Sequence, residues 1–180
     1  MNGPHLLTSI PDALTRAQRS RSIFLQITHA RAARGAAVET TGPLGGVPFA
    51  VKDVFDVRGT RTSAASQVFD RRAHARRDAE AVRRVVSRGA VLIGKTTMSE
   101  LAYSGIGMND RFGTPTITRE GRDYVLGGSS SGSAAAVRAG ITAFALASDT
   151  SGSARIPAAW SGLFGFRPSH GRYPAAGMSP

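Results

Sequence analysis

The chain has 180 residues, 41% of them apolar, which suits one domain with a sizeable core and excludes a fibrous or disordered composition. It contains no cysteine, so disulfides, thiolate chemistry and cysteine-ligated zinc are excluded. The formal net charge of +11 invites a nucleic-acid partner. Yet of the 23 basic residues only Lys52 and Lys95 are lysines, and no aromatic series interleaves with the arginines of 16–34 and 71–88 as a single-strand platform requires. The excess reads as compositional bias, and nucleic acid is not expected.

His5, His29, His74 and His170 are scattered and form no His-x-x-x-His pair, so no metal or cofactor is expected. The opening MNGPHLLTSIPD lacks the basic start, apolar run and cleavage site of a secretory signal. The longest apolar run, 134–147, is interrupted by Arg138 and is too short to span a bilayer. No membrane association is expected, and the expected location is cytoplasmic.

Taken in order, Pro11 to about Gly35 reads as one helix. Pro11 and Asp12 suit its first turn, and Leu14, Ile23, Phe24, Ile27 and Ala30 recur near helical spacing. A Gly/Pro-rich loop, TTGPLGG, follows. Val47, Phe49 and Val51 then predict a strand that ends on Lys52. A lysine ending a buried strand is desolvated, which lowers its pKa; the plainer alternative is an ion pair with Asp53 or Asp56.

Asp78, followed by Ala79, Val82, Val85 and Val86, predicts a capped amphipathic helix ending at Gly89. Ala90 to Ile93 predicts a buried strand, and TTMSELAYSG a short helix. Alternating strands and helices indicate an α/β layered architecture. Residues 89–96, GAVLIGKT, match the phosphate-loop pattern. That motif needs a flexible loop between its glycines, whereas Ala-Val-Leu-Ile is itself a strand, so Lys95 is expected to be structural or to lie at a site edge. From Ser104 to Leu126 glycines break every periodicity, and the stretch is expected to be a long loop beside a substrate cleft.

Gly127 to Pro157 holds two Ser/Gly loops around a small-residue helix and a strand at Phe144 to Ala147. Gly128-Ser129-Ser130-Ser131-Gly132 satisfies G-x-S-x-G, centred on Ser130. Arg122-Asp123-Tyr124 makes a poor core strand before it, and only His170 offers a base, so a Ser-His-Asp hydrolase is disfavoured. DTSGS at 149–153 follows the carboxyl end of the second strand, where α/β folds place sites. Backbone N–H groups there could form an oxyanion hole; an inert Ser/Gly turn is the alternative. Arg155-Ile156-Pro157 then enters a short helix.

PFAVKDVFDV, GAVLIGKTTMSEL, GGSSSGSAAAVRAG and DTSGSARIPAAWSGLFGFRPSHG, in this order and spacing, resemble the amidase signature family from about Pro43 to Pro180. The resemblance implies a three-layer α/β/α sandwich around a mixed sheet, with residues 1–42 an N-terminal helical region and 43–180 a catalytic core incomplete at its C-terminus. It also implies amide hydrolysis by a Ser-Ser-Lys triad through an acyl-enzyme. Ser153 would be the nucleophile, Ser129 the bridging serine on a cis Gly128–Ser129 peptide, and Lys52 the base. The N–H groups of Thr150, Ser151, Gly152 and Ser153 would form the oxyanion hole.

Many relatives carry Gly where this chain has Ser151. Family members are also far longer, so the 180 residues are expected to be part of an amidase, unstable or inactive in isolation. The expected substrate is a small-molecule amide. The alternatives are the glutamine-hydrolysing subunit of a tRNA-dependent amidotransferase and, from another class, a non-catalytic basic nucleic-acid-binding module.

Overall fold

A computed structural model describes residues 8–37, 42–69 and 71–179. Its main sheet has the order β1 (Phe24–Ile27), β3 (Val91–Thr96), β2 (Pro48–Lys52), β6 (Phe144–Leu146). β1 runs antiparallel to β3, whereas β2 runs parallel to both β3 and β6, so the sheet is mixed. Every residue of β2 and β3 is buried. That explains their near-continuous apolar character, since central parallel strands are covered on both faces. Phe49 pairs with Phe144 across β2 and β6, and their rings stack with centroids 5.4 Å apart.

Helices cover both faces. On one, Val91 and Ile93 pack with Ile10, Ala13 and Ala17 of α1 (Ile10–Arg19) and Ala32 of α2 (His29–Ala37). On the other, Phe49, Val51 and Leu92 pack with Val54, Phe55, Val57 and Val82, the last from α3 (Glu80–Val86). This is the α/β layering expected from the sequence.

The single helix expected from Pro11 to Gly35 is instead α1, β1 and α2. Ser9 Oγ caps α1 by accepting from Asp12 N, and the helix stops at Ser20. Ile23, Phe24 and Ile27 fit a helix by local spacing, but pairing with β3 satisfies their backbone as a strand. The segment before residue 42 thus shares the sheet of the segment after it.

Three further expectations are corrected. Asp78 caps no helix: its carboxylate takes a bidentate guanidinium from Arg31, at 2.7 and 2.6 Å, and the N–H of Arg58 at 2.8 Å. These charge-assisted partners outweigh a cap, and α3 begins without a side-chain cap. TTMSELAYSG forms only a single 3-10 turn, Glu100–Ala102, in which Leu101 takes φ 52. The stretch 104–126 contains a hairpin, β4 (Thr116–Arg119) and β5 (Arg122–Val125), separate from the main sheet.

Residues 105–112 pack beneath the serine loops. Asn109 anchors them, donating from Nδ2 to Ala65 O and Met98 O and accepting from the N–H groups of Arg111 and Phe112. Gly107, at φ +90, lies so close to Gly127 O that a Cβ would collide with it. Among the described residues no helix is long and apolar enough to cross a membrane.

Candidate active site

β2 delivers Lys52 to the site through register. β3 holds one residue more than β2 at the irregularity between Phe49 and Ala50, after which Val51 faces Lys95 and Lys52 faces Thr96. Successive side chains on a strand leave opposite faces, so the two lysines of the chain point to opposite sides of the sheet. Lys95 Nζ meets Asp53 Oδ1 at 2.7 Å, Arg61 O at 2.9 Å and Thr62 Oγ1 at 2.9 Å. All three ammonium protons therefore have acceptors. The GKT stretch lies within β3 and forms no phosphate loop. The pairing with Asp53 considered for Lys52 is made by Lys95.

On the other face Lys52 Nζ lies 2.6 Å from Ser129 Oγ and 2.7 Å from Ser148 Oγ. Lys52 and Ser129 are both 0% exposed. Burial without a bonded counter-ion pulls Lys52 from 10.5 down to about 7, and the Asp149 carboxylate opposes that fall by Coulombic attraction. A lysine so placed exchanges a proton near neutral pH, which an arginine cannot do.

Ser129 sits between a cis Gly128–Ser129 peptide and α4 (Ser131–Arg138). Gly128 N–H donates to Gly105 O at 2.7 Å, and Ser99 N–H to Ser129 O at 3.1 Å, so neighbouring loops hold its backbone on both sides. α4 packs tightly onto β3: a Cβ at Gly132 would meet Thr97 N, Thr97 O and Ile23 O at 2.7 Å. Thr96 Oγ1 and Ser133 Oγ share a hydrogen bond of 2.9 Å across that contact.

The second loop leaves β6 and turns at 149–153. Asp149, absent from the sequence expectations, organises this turn. Its Oδ1 accepts from Gly152 N at 2.9 Å, and its Oδ2 from Ala154 N at 3.2 Å and Arg155 N at 3.1 Å, while the Arg155 guanidinium binds both oxygens at 2.9 Å. The Arg155 hydrogen bonds hold the Asp149 carboxyl well below its usual range. α5 (Arg155–Trp160) follows.

This network engages one of the four expected N–H donors. Gly152 N–H donates to Asp149, whereas the N–H groups of Thr150, Ser151 and Ser153 make no hydrogen bond among the described residues. The two loops are tied by Ser130 N–H, which donates to Ser153 O at 3.0 Å, and by Ser130 Oγ, which donates to Ser148 O at 3.3 Å. The structure thus brings Lys52 and Ser129 into direct contact and ties the Ser153 turn beside them. Ser153 Oγ makes no side-chain hydrogen bond to Ser129 among the described residues.

Ser148 also went unread in the sequence. D-T-S-G has the pattern of an Asx-turn, a local signal for Asp149, but nothing local marks Ser148, which reaches Lys52 only through β2–β6 pairing.

Comparison with known proteins places this arrangement in a family context. The family model described as Amidase matches residues 17–180. AtzE, a 1-carboxybiuret hydrolase subunit from Pseudomonas sp. (strain ADP), is 42% identical over 150 residues, covering 83% of this chain and 32% of that protein. A glutamyl-tRNA(Gln) amidotransferase subunit from Synechococcus sp. (strain CC9902) is 38% identical over 175 residues, covering 93% and 35%. A solved inhibitor-bound structure, described as a vestigial complex revealing the origins of an s-triazine catabolic enzyme, superposes with a TM-score of 0.87 at 36% identity, covering 95% and 40%. The chain therefore spans about a third of the length of these curated relatives.

Proposed function

The chain belongs to the amidase family, and from that premise we propose that it carries the catalytic triad of an amide hydrolase, with Ser153 as nucleophile, Ser129 as proton relay and Lys52 as base. One observation carries the reading. A fully buried lysine, its pKa lowered to about 7, stands 2.6 Å from a fully buried serine hydroxyl.

Neutral Lys52 takes the proton of Ser129 as Ser129 takes that of Ser153, and Ser153 Oγ forms a bond to the amide carbonyl carbon. The carbonyl electron pair moves to oxygen, which the N–H groups of Thr150, Ser151 and Ser153 receive. The oxyanion collapses and breaks the C–N bond, and the relay runs backwards to place the proton on the departing ammonia or amine. Water then attacks the acyl-Ser153 ester by the same path and releases the acid, regenerating Ser153 Oγ–H. Asp149 holds the turn so that these donors and the nucleophile keep one geometry.

The substrate class is a small carboxylic amide. Similarity to an amidotransferase subunit over 93% of the chain supports a second reading, glutamine hydrolysis within a complex. Ammonia release from a panel of simple amides by the full-length protein, abolished in S153A, supports the first reading. Release from glutamine alone, and only in the presence of partner proteins, supports the second. Full turnover by S153A would overturn both.

A further inference from the structure

Lys52 Nζ meets two serine hydroxyls, Ser129 Oγ at 2.6 Å and Ser148 Oγ at 2.7 Å, and only the first belongs to the relay. A neutral amine has one lone pair and two N–H bonds. To receive the proton of Ser129 the lone pair must point at Ser129, so the N–H bonds must point elsewhere. In a buried site they need acceptors, and Ser148 Oγ is one within reach.

Ser148 is well held for this task. It stands two residues beyond Leu146, which pairs with Val51, the neighbour of Lys52. Its carbonyl accepts from Ser130 Oγ at 3.3 Å, which ties it to the first serine loop. The charged group acting on Lys52 is Asp149, whose carboxylate is occupied by Arg155 and the turn N–H groups. The Lys95–Asp53 pair lies on the opposite face of the sheet.

Resting on the Ser-Ser-Lys reading, we propose that Ser148 is a positioning residue that accepts an N–H of Lys52 and so aims its lone pair at Ser129. The same hydroxyl accepts from the ammonium once the proton has moved. Without it the amine is free to rotate. The loss is then one of geometry and persists at pH values where Lys52 is fully neutral.

The test uses the full-length protein as wild type, S148A, S148T and K52M, with lysine 13C-labelled at Cε and the Lys52 signal assigned by its loss in K52M. In S148A, kcat well above pH 7 is expected to fall by about 10²-fold, the scale for a misplaced catalytic group, with KM unchanged. The Lys52 titration midpoint is expected to move to lower pH, because the ammonium loses an acceptor. S148T keeps the hydroxyl and is expected to recover most of the rate. A wild-type kcat and an unmoved Lys52 midpoint in S148A would overturn the proposal, as would an S148T as impaired as S148A. Undiminished hydrolysis by K52M would instead overturn the relay reading, while the NMR midpoint, which needs no turnover, still reports on the Lys52–Ser148 contact.

Discussion

Lys52 Nζ and Ser129 Oγ lie 2.6 Å apart, although 77 positions separate them in the chain. The lysine ends a fully buried strand and the serine precedes α4, so each is fixed by a different element. Burial lowers Lys52 to about 7, and as the proposed base it acts only as the free amine. kcat/KM is therefore expected to rise about tenfold per pH unit below that value and to level off above it. A pH–rate profile of the full-length protein measures this. A rate flat down to pH 5 would show that no such base is involved.

The same shift makes a stability prediction. Lys52 titrates near 7 when folded and at its ordinary 10.5 when unfolded, so between these values the unfolded state binds more protons and stability rises with pH. The cost of burying the charge is complete below about pH 7 and vanishes above 10.5. K52M is thus expected to stabilise the fold at pH 6 by a few kcal/mol, ~5 at most, and the gain should shrink as pH rises. Thermal melts at pH 6 and pH 9 compare the two, and a gain that grew with pH would contradict the assignment.

Lys95 has the opposite role. It is spent on Asp53, whose second oxygen accepts from Ser63 N, Ser63 Oγ and Ala65 N. K95M strands a buried carboxylate and is expected to cost about 3–5 kcal/mol. The double variant K95M/D53N removes both charges and should lose less. Denaturant unfolding of the three proteins checks the order.

Asp149 holds its own turn by hydrogen bonds and acts on Lys52 by Coulombic attraction. Asn in its place keeps one acceptor oxygen and turns an NH2 towards backbone donors, so the 149–155 turn should shift and kcat/KM fall by about 10²-fold. Because the carboxylate holds Lys52 up against desolvation, D149N should also move the acid limb of the pH profile to lower pH. A wild-type profile in D149N would separate Asp149 from the base.

The parts of this site that were legible in the sequence are those with local chemistry. β2, β3 and β6 are short apolar runs, one Ser/Gly loop leads into α4 and the other follows β6, so Lys52, Ser129 and Ser153 could be singled out by position and residue type. Features set by distant pairing were not legible. Phe24–Ile27 has a spacing that a helix satisfies equally, and only the edge of β3 decides for a strand. The β4–β5 hairpin is polar, and its turn, Glu120-Gly121, takes φ 51 and 73 without the Asn-Gly or Asp-Gly that usually marks such a turn. Asp78 looked like a cap because Arg31, which claims it, lies 47 residues away. Ser148 meets Lys52 only once β6 has paired with β2, whereas the Gly152–Asp149 bond is local to one loop.

The central claim, that Ser153 is the nucleophile driven by Ser129 and Lys52, is tested most directly by covalent capture. The full-length protein is treated with a fluorophosphonate probe, and the adduct is located by peptide mass spectrometry. The label is expected on Ser153, absent in S153A and strongly slowed in K52M and S129A. A label on Ser129 or Ser130, or undiminished labelling of S153A, would contradict the account.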